Sequence, residues 1–195
     1  MQDHWSAKKR QRSDKLKGIA AGLIGGLLAS AVMNQFQAFW AKLAEGNEAS
    51  HGAQSLQQGS PEYGAGREQQ QRDNEEEQDD ATERVARVIS ERFFDHRLTN
   101  REKETASAAV HYAFGMGSGA LYGVLAEAAP QVTKGAGLPF GAFVWLTADE
   151  GLVPLFDLSK GPTAYPLSTH VYALASHLVY GLTTETVRRA VRRAL

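Results

Sequence analysis

Gly18-Ile-Ala-Ala-Gly-Leu-Ile-Gly-Gly-Leu-Leu-Ala-Ser-Ala-Val-Met-Asn-Gln-Phe-Gln-Ala-Phe-Trp-Ala41 is a run of 24 residues without a charged side chain. As a helix rising about 1.5 Å per residue it exceeds the roughly 30 Å hydrocarbon core of a bilayer. From Gly18 to Val32 it is apolar or small on every face, whereas a helix packed in a water-soluble bundle usually keeps a polar stripe. Glycine costs roughly 1 kcal/mol against alanine inside a water-exposed helix. Here the glycines are phased: Gly18, Gly22, Gly26 and Ser30 recur every four residues, as do Gly115, Gly119 and Gly123 further on. Small-xxx-small tracks of this kind let membrane helices approach closely. A soluble helical bundle is the competing reading of the same stretch.

Charge brackets the run. Lys8, Lys9, Arg10, Arg12, Lys15 and Lys17 precede it, against Asp3 and Asp14. Three more charge-poor stretches follow, Ser107 to Ala129, Leu138 to Phe156 and Pro166 to Val187, and Arg188, Arg189, Arg192 and Arg193 close the chain. The expectation is an all-α fold: a four-helix transmembrane bundle with an extra amphipathic surface helix and a disordered acidic linker. Its parts are a basic tail at 1–17, spans at 18–44, within 99–129, at 135–156 and at 166–187, and a second basic tail at 188–195. Basic loops mark the cytoplasmic side. That rule predicts a multi-pass protein of the bacterial inner membrane with both termini and the Lys134 loop in the cytoplasm. A rival reading takes Gly18 to Leu28 and Ala29-Ser30-Ala31 as a secretory signal with its cleavage site. Phe36, Phe39 and Trp40, an aromatic anchor at the expected interface, speak against it.

The chain holds 195 residues, 43% apolar and 22% charged, with a net charge of −1 and no cysteine. Disulfides and thiolate metal sites are therefore excluded, and nothing in the balance of charge points to nucleic acid. Most of the 22 acidic groups lie between residues 46 and 106. The segment 45–80, with Glu75-Glu76-Glu77-Gln78-Asp79-Asp80, is too polar to offset its ordering entropy and reads as a solvated extracytoplasmic linker. Its spacing does not match a calcium loop. Asp80-Ala-Thr-Glu83 has the form of a capping box opening a helix over 81–98, with Val85, Val88, Ile89 and Phe93 on one face. That face lies on a membrane surface or packs on the other helices. Thr99-Asn-Arg-Glu102 is a second box, from which a helix could run unbroken into the second span.

Soluble-enzyme motifs are absent: there is no phosphate-binding glycine loop, nucleophile elbow or H-E-x-x-H helix. The ionisable residues inside the expected spans remain. In the four-span topology His111, Asp149, Glu150 and His170 share a similar depth in the outer half, with His177 and Tyr180 successively deeper on nearly the face of His170. Such a set is open to three readings: interhelical pairing, proton coupling through the histidines, or a divalent metal site. No metal ligand set is assigned and no cofactor is expected. At the inner end, Glu127 and Glu185 fall beside Lys134, Arg188 and Arg189, where carboxylates can snorkel or pair.

His111-Tyr-Ala-Phe-Gly115, Gly119-Ala-Leu-Tyr-Gly123, Glu127, Trp145 with Asp149-Glu150, Tyr165-Pro166, and His170 through Ser176-His177-Leu-Val-Tyr-Gly181 resemble the YagU-like family of bacterial inner-membrane proteins of unknown function. The resemblance covers about residues 18–44 and 82–190, is clearest after His111 and is not seen in the linker. It implies an integral protein of the cytoplasmic membrane and brings no reaction, cofactor or catalytic residue.

These readings combine into one expectation, a small membrane protein whose outer His and carboxylate cluster is proton-coupled or pH-responsive. The alternatives are a structural or interaction protein that recruits a partner through its extracytoplasmic helix, and a membrane-embedded metal-dependent enzyme. The lipid bilayer is the expected partner. An unidentified protein partner and self-association along the glycine tracks stay open.

Overall fold

The computed structural model describes residues 2–45, 81–159 and 161–195, with side chains of the first helix described from Asp14 to Leu43. The acidic linker, and with it Asp80 of the first capping box, lies outside the described residues. The regular elements among the described residues are all helical. Helix α1 runs Gln2–Glu45, α2 Ala81–Phe94, α3 Asn100–Ala128, α4 Leu138–Thr147, α5 Val153–Leu155 and α6 Leu167–Ala194. Short 3-10 turns occupy Pro130–Thr133 and Pro162–Ala164, and a π-helical turn, Ala148–Leu152, joins α4 to α5.

Local chemistry explains the boundaries. Glu102 and Thr99 cap α3 reciprocally: Thr99 N–H donates to Glu102 Oε2 at 2.8 Å and Glu102 N–H to Thr99 Oγ1 at 3.4 Å. Those bonds hold the Glu102 carboxyl below its usual value. Helix α2 ends on Asp95 in the left-handed region at φ 48°, with His96 N–H reaching back to the Ser90 carbonyl at 3.4 Å. The π turn has a cause in Pro154. A proline ring collides with the carbonyl four residues before it, here that of Glu150, and widening the helix over Ala148–Leu152 moves that carbonyl aside.

The described residues fall into two compact units. The first comprises Met1–Gln37, Tyr112–Leu146 and Ala173–Leu195, and the second Ala38–His111 and Thr147–Tyr172. In the first unit α1 and α3 meet backbone to backbone, with Gly18 against Gly123, Gly22 against Gly119 and Gly26 against Gly115. A methyl group added at Gly119 would sit 2.8 Å from the Gly26 Cα, so nothing larger than hydrogen fits there. Helices α4 and α6 meet the same way, Gly137 against Gly181 and Gly141 against the His177 carbonyl, while Gly25 of α1 faces the Thr184 carbonyl of α6. Between these contacts Ala29, Met33, Val144 and Tyr180 form the apolar core, with Phe140 packed on it and stacked on Tyr122 at 4.3 Å. In the second unit α2 buries Ala86 and Ser90, leaving Val88, Ile89 and Phe93 exposed. Trp40 tilts against Tyr172 at 5.8 Å, and burial pushes the Tyr172 hydroxyl up to about 12.

The expected four-span transmembrane bundle is overturned. Among the described residues one helix, over Asp14–Leu43, is long and apolar enough to cross a membrane. The error has a physical source: a segment poor in charge is not thereby apolar. Helix α3 carries His111, Ser118 and three core glycines, and α6 carries Thr169, His170, Ser176, His177, Thr184 and Glu185. The α4 helix stops after 10 residues. With one candidate span the multi-pass topology, and the placement of both termini in the cytoplasm that depended on it, are withdrawn. As for the signal-sequence reading, α1 continues unbroken through Ala29-Ser30-Ala31, and Ala29 and Ser30 are wholly buried within the first unit.

Candidate functional site

Helix α6 carries charge at Glu185, Arg188, Arg189 and Arg192, an i, i+3, i+4, i+7 stripe that in a water-facing helix would be a solvated edge. Here half of it is interior. Glu185 is 1% exposed and Arg188 7%, both in the first unit. The Glu185 carboxylate is gripped from two sides: Arg188 donates through Nε at 2.7 Å and Nη2 at 3.0 Å, and Arg189 through Nε at 2.5 Å. Arg189 also donates to the Thr133 carbonyl at 3.3 Å, tying α6 to the turn before α4. Arg192 reaches across to Glu127 of α3, Nε to Oε1 at 2.8 Å, and to Asp14 of α1, Nη2 to Oδ1 at 3.0 Å. Arg188 lies 3.9 Å from Glu127 and stands over the Tyr122 ring at 5.9 Å from its centre. Three helices are thus joined by one network of three carboxylates and three guanidinium groups.

Its electrostatics follow from burial and pairing. Burial pushes the Glu185 carboxyl up, but bonds from Arg188 and Arg189 more than reverse this and leave it below its ordinary value. Burial likewise opposes the Arg188 charge, and Glu185 more than restores it. Glu127 raises Arg192. The Tyr122 hydroxyl is pushed well up, first by burial and then by the neighbouring Glu185 charge. Glu185, Arg188 and Arg192 are thus held in the charged states that keep the network intact, which suits a clamp and not a proton donor.

The second unit brings Glu150 and His170 together. Oε1 of Glu150 lies 2.5 Å from His170 Nδ1, and the Pro162 carbonyl 3.0 Å from Nε2. A carbonyl and a carboxylate only accept, so the ring satisfies both by carrying a hydrogen on each nitrogen, and Glu150 raises its pKa accordingly. The pair staples the π turn and the Pro162–Ala164 turn to the start of α6. His111 and Asp149 are half-buried in this unit, on α3 and in the π turn. His177 and Tyr180 belong to the first unit. There Nδ1 of His177 faces the Ala173 carbonyl of its own helix at 2.9 Å, and the Tyr180 hydroxyl donates to the Gly115 carbonyl at 2.6 Å, with Ser118 Oγ 3.0 Å away.

This geometry corrects the functional expectation. A proton-coupled or pH-responsive path required three spans presenting histidines and carboxylates at one membrane depth, and one candidate span supplies no such shared depth. Nδ1 of His177 and the Tyr180 hydroxyl each bond a helix backbone carbonyl. No group of three or more His, Asp or Glu among the described residues could hold a metal ion, which leaves the metal-dependent reading without a ligand set there. Recruitment through an extracytoplasmic helix loses its premise with the multi-pass topology. Sequence reasoning placed Glu127 and Glu185 beside bases but missed Asp14, Arg192, Gly25, Gly137, Gly141 and Gly181. The charged stripe on α6 was the available signal for Arg192.

Comparison with known proteins adds a family. A family model described as a protein of unknown function (DUF1440) matches residues 88–186, just over half the chain and including α3, α4 and most of α6. No curated protein and no solved structure matches.

Proposed function

Since the chain belongs to the DUF1440 family, described only as being of unknown function and associated with the YagU-like group, its role must be argued from its own physics, and we propose that it is a membrane-associated protein whose helix α1 enters the lipid bilayer. One observation carries this reading. Along Asp14–Leu43 less than half of the most apolar window is covered by the protein. The covered side includes Ala21, Gly22, Gly25, Gly26, Ala29, Ser30 and Met33, while Ile24, Leu27, Leu28 and Val32 stand exposed. A helix with small residues toward protein and long aliphatic chains away from it matches lipid as its second solvent. Phe39, exposed beside Trp40 toward the other end, suits an interfacial position.

The glycine contacts and the ion network support a structural part for the rest of the first unit. They hold α3, α4 and α6 against the covered side of α1, so that the inserted helix is presented as part of a rigid body.

The test uses Leu28→Lys. Leu28 is 46% exposed, so in water the change should leave stability within about 0.5 kcal/mol. In a bilayer a lysine near the middle of a span costs roughly 2.5–3.5 kcal/mol, more than enough to release the protein. The full chain should pellet with membranes and resist alkaline carbonate, and Leu28→Lys should move it to the supernatant. A wild-type chain found folded in the supernatant, or a variant distributed like the wild type, would overturn the proposal.

A further inference from the structure

The ion network leaves a remainder. At the end of the first unit where Asp14, Glu127 and Glu185 lie, the described cations are Lys15, Lys17, Lys134, Arg188, Arg189, Arg192 and Arg193. Arg188, Arg189 and Arg192 consume all three carboxylates. Lys15, Lys134 and Arg193 are left without a carboxylate partner among the described residues. All three are exposed, whereas Lys17 is half-buried and already donates to the main-chain oxygen of Leu195 at 2.7 Å. Lys8, Lys9, Arg10 and Arg12 precede them on the same helix.

Their surroundings narrow the partner. Leu16 stands exposed between Lys15 and Lys17, and Leu138 is exposed four residues after Lys134. Free bases beside exposed aliphatic groups, at the mouth of an apolar helix, match a surface that is anionic in its outer layer and apolar beneath. We infer that this basic end binds anionic phospholipid headgroups, an inference that rests on the insertion of α1 proposed above. Lys15 meets lipid phosphates as α1 enters, and Lys134 and Arg193 extend the contact to the loop before α4 and the end of α6.

The experiment is flotation of the purified full chain with vesicles of phosphatidylcholine alone, or of phosphatidylcholine and phosphatidylglycerol at roughly three to one, both well below saturation. Each base near an anionic surface strengthens binding about fivefold, so Lys15→Gln, Lys134→Gln and Arg193→Gln together should cut the phosphatidylglycerol preference by about a hundredfold. All three sites are exposed, and circular dichroism checks that the helices remain. Raising salt toward 1 M, where screening acts within about 3 Å, should erase the wild-type preference while leaving binding to neutral vesicles. Equal uptake by both vesicles, or an undiminished preference in the triple variant, would refute the lipid class while leaving α1 insertion standing. Failure to float with either vesicle would instead strike down the insertion and this inference with it.

Discussion

Removing the Glu185 carboxylate isolates a buried guanidinium, and the size of that effect can be worked out from its neighbours. Arg188 is 7% exposed and gives two of its donors to Glu185. Without Glu185 it keeps one carboxylate, Glu127 at 3.9 Å, and the face of Tyr122. Breaking a buried pair by deleting one partner costs roughly 3–5 kcal/mol. The surviving Glu127 places Glu185→Leu near the lower bound, about 3 kcal/mol. Glu185→Gln keeps the volume and an acceptor, and should cost about 2 kcal/mol. Arg189 matters less because it is exposed and can turn to water. The distinguishing variant is Glu185→Leu with Arg188→Leu, which removes the orphaned charge together with its partner and should be more stable than Glu185→Leu alone. Thermal unfolding followed by circular dichroism in a mild detergent reads the series, with about 2–4 °C expected per kcal/mol for a chain of this size. Acid adds a second signature. Glu185 is depressed in the folded state, so its contribution is complete above the unfolded carboxyl value of about 4.3 and is lost as pH falls from there toward the folded value. Glu185→Gln should flatten that limb. If Glu185→Gln melts within about 0.5 kcal/mol of wild type, or the double variant loses the sum of its singles, the clamp reasoning is wrong.

Two further outcomes follow from the packing and from the second unit. Gly119→Leu should destabilise by about 3 kcal/mol by forcing α1 from α3, whereas Gly117→Ala, with nothing within 4 Å of an added methyl, should stabilise by about 0.5–1 kcal/mol; paired melting curves compare them. His170 is raised in the folded state, so its contribution is complete below about pH 6.5 and disappears as pH rises through the folded value; a carbon-detected NMR titration should find it above 6.5, and Glu150→Gln should bring it down.

Helix α1 was legible because its signal is redundant: no charge, long side chains among the small ones, and flanking bases. The other three stretches shared only the scarcity of charge. Gly, Ala, Ser and Thr are nearly neutral toward lipid, so Ser107 to Ala129 and Pro166 to Val187 resembled spans only when charge alone was counted. The break after Thr147 was written in Pro154, whose clash falls a full turn upstream of itself. On α2 the period gave a face with Val88, Ile89 and Phe93, yet a period cannot say whether its face is covered; small Ala86 and Ser90 make the close contact instead. Recurrence every four residues was plain at Gly18 and at Gly115, but nothing local says which track opposes which. The ion network was least accessible, because Asp14 and Arg192 stand 178 residues apart and their pairing exists only once α1 and α6 lie together.

The glycine contact and the ion network also need each other. Smooth backbone surfaces attract through dispersion over their length but discriminate weakly between registers. Sliding α1 by four residues would set Gly18 against Gly119 and Gly22 against Gly115, keeping two glycine pairs of the original three. The same slide carries Asp14 about 6 Å along the helix axis, beyond the reach of Arg192, which now holds it at 3.0 Å. Arg192 would then be left with Glu127 alone, and Asp14 would lose its partner. Steric fit therefore allows a small family of alignments, and charge selects among them.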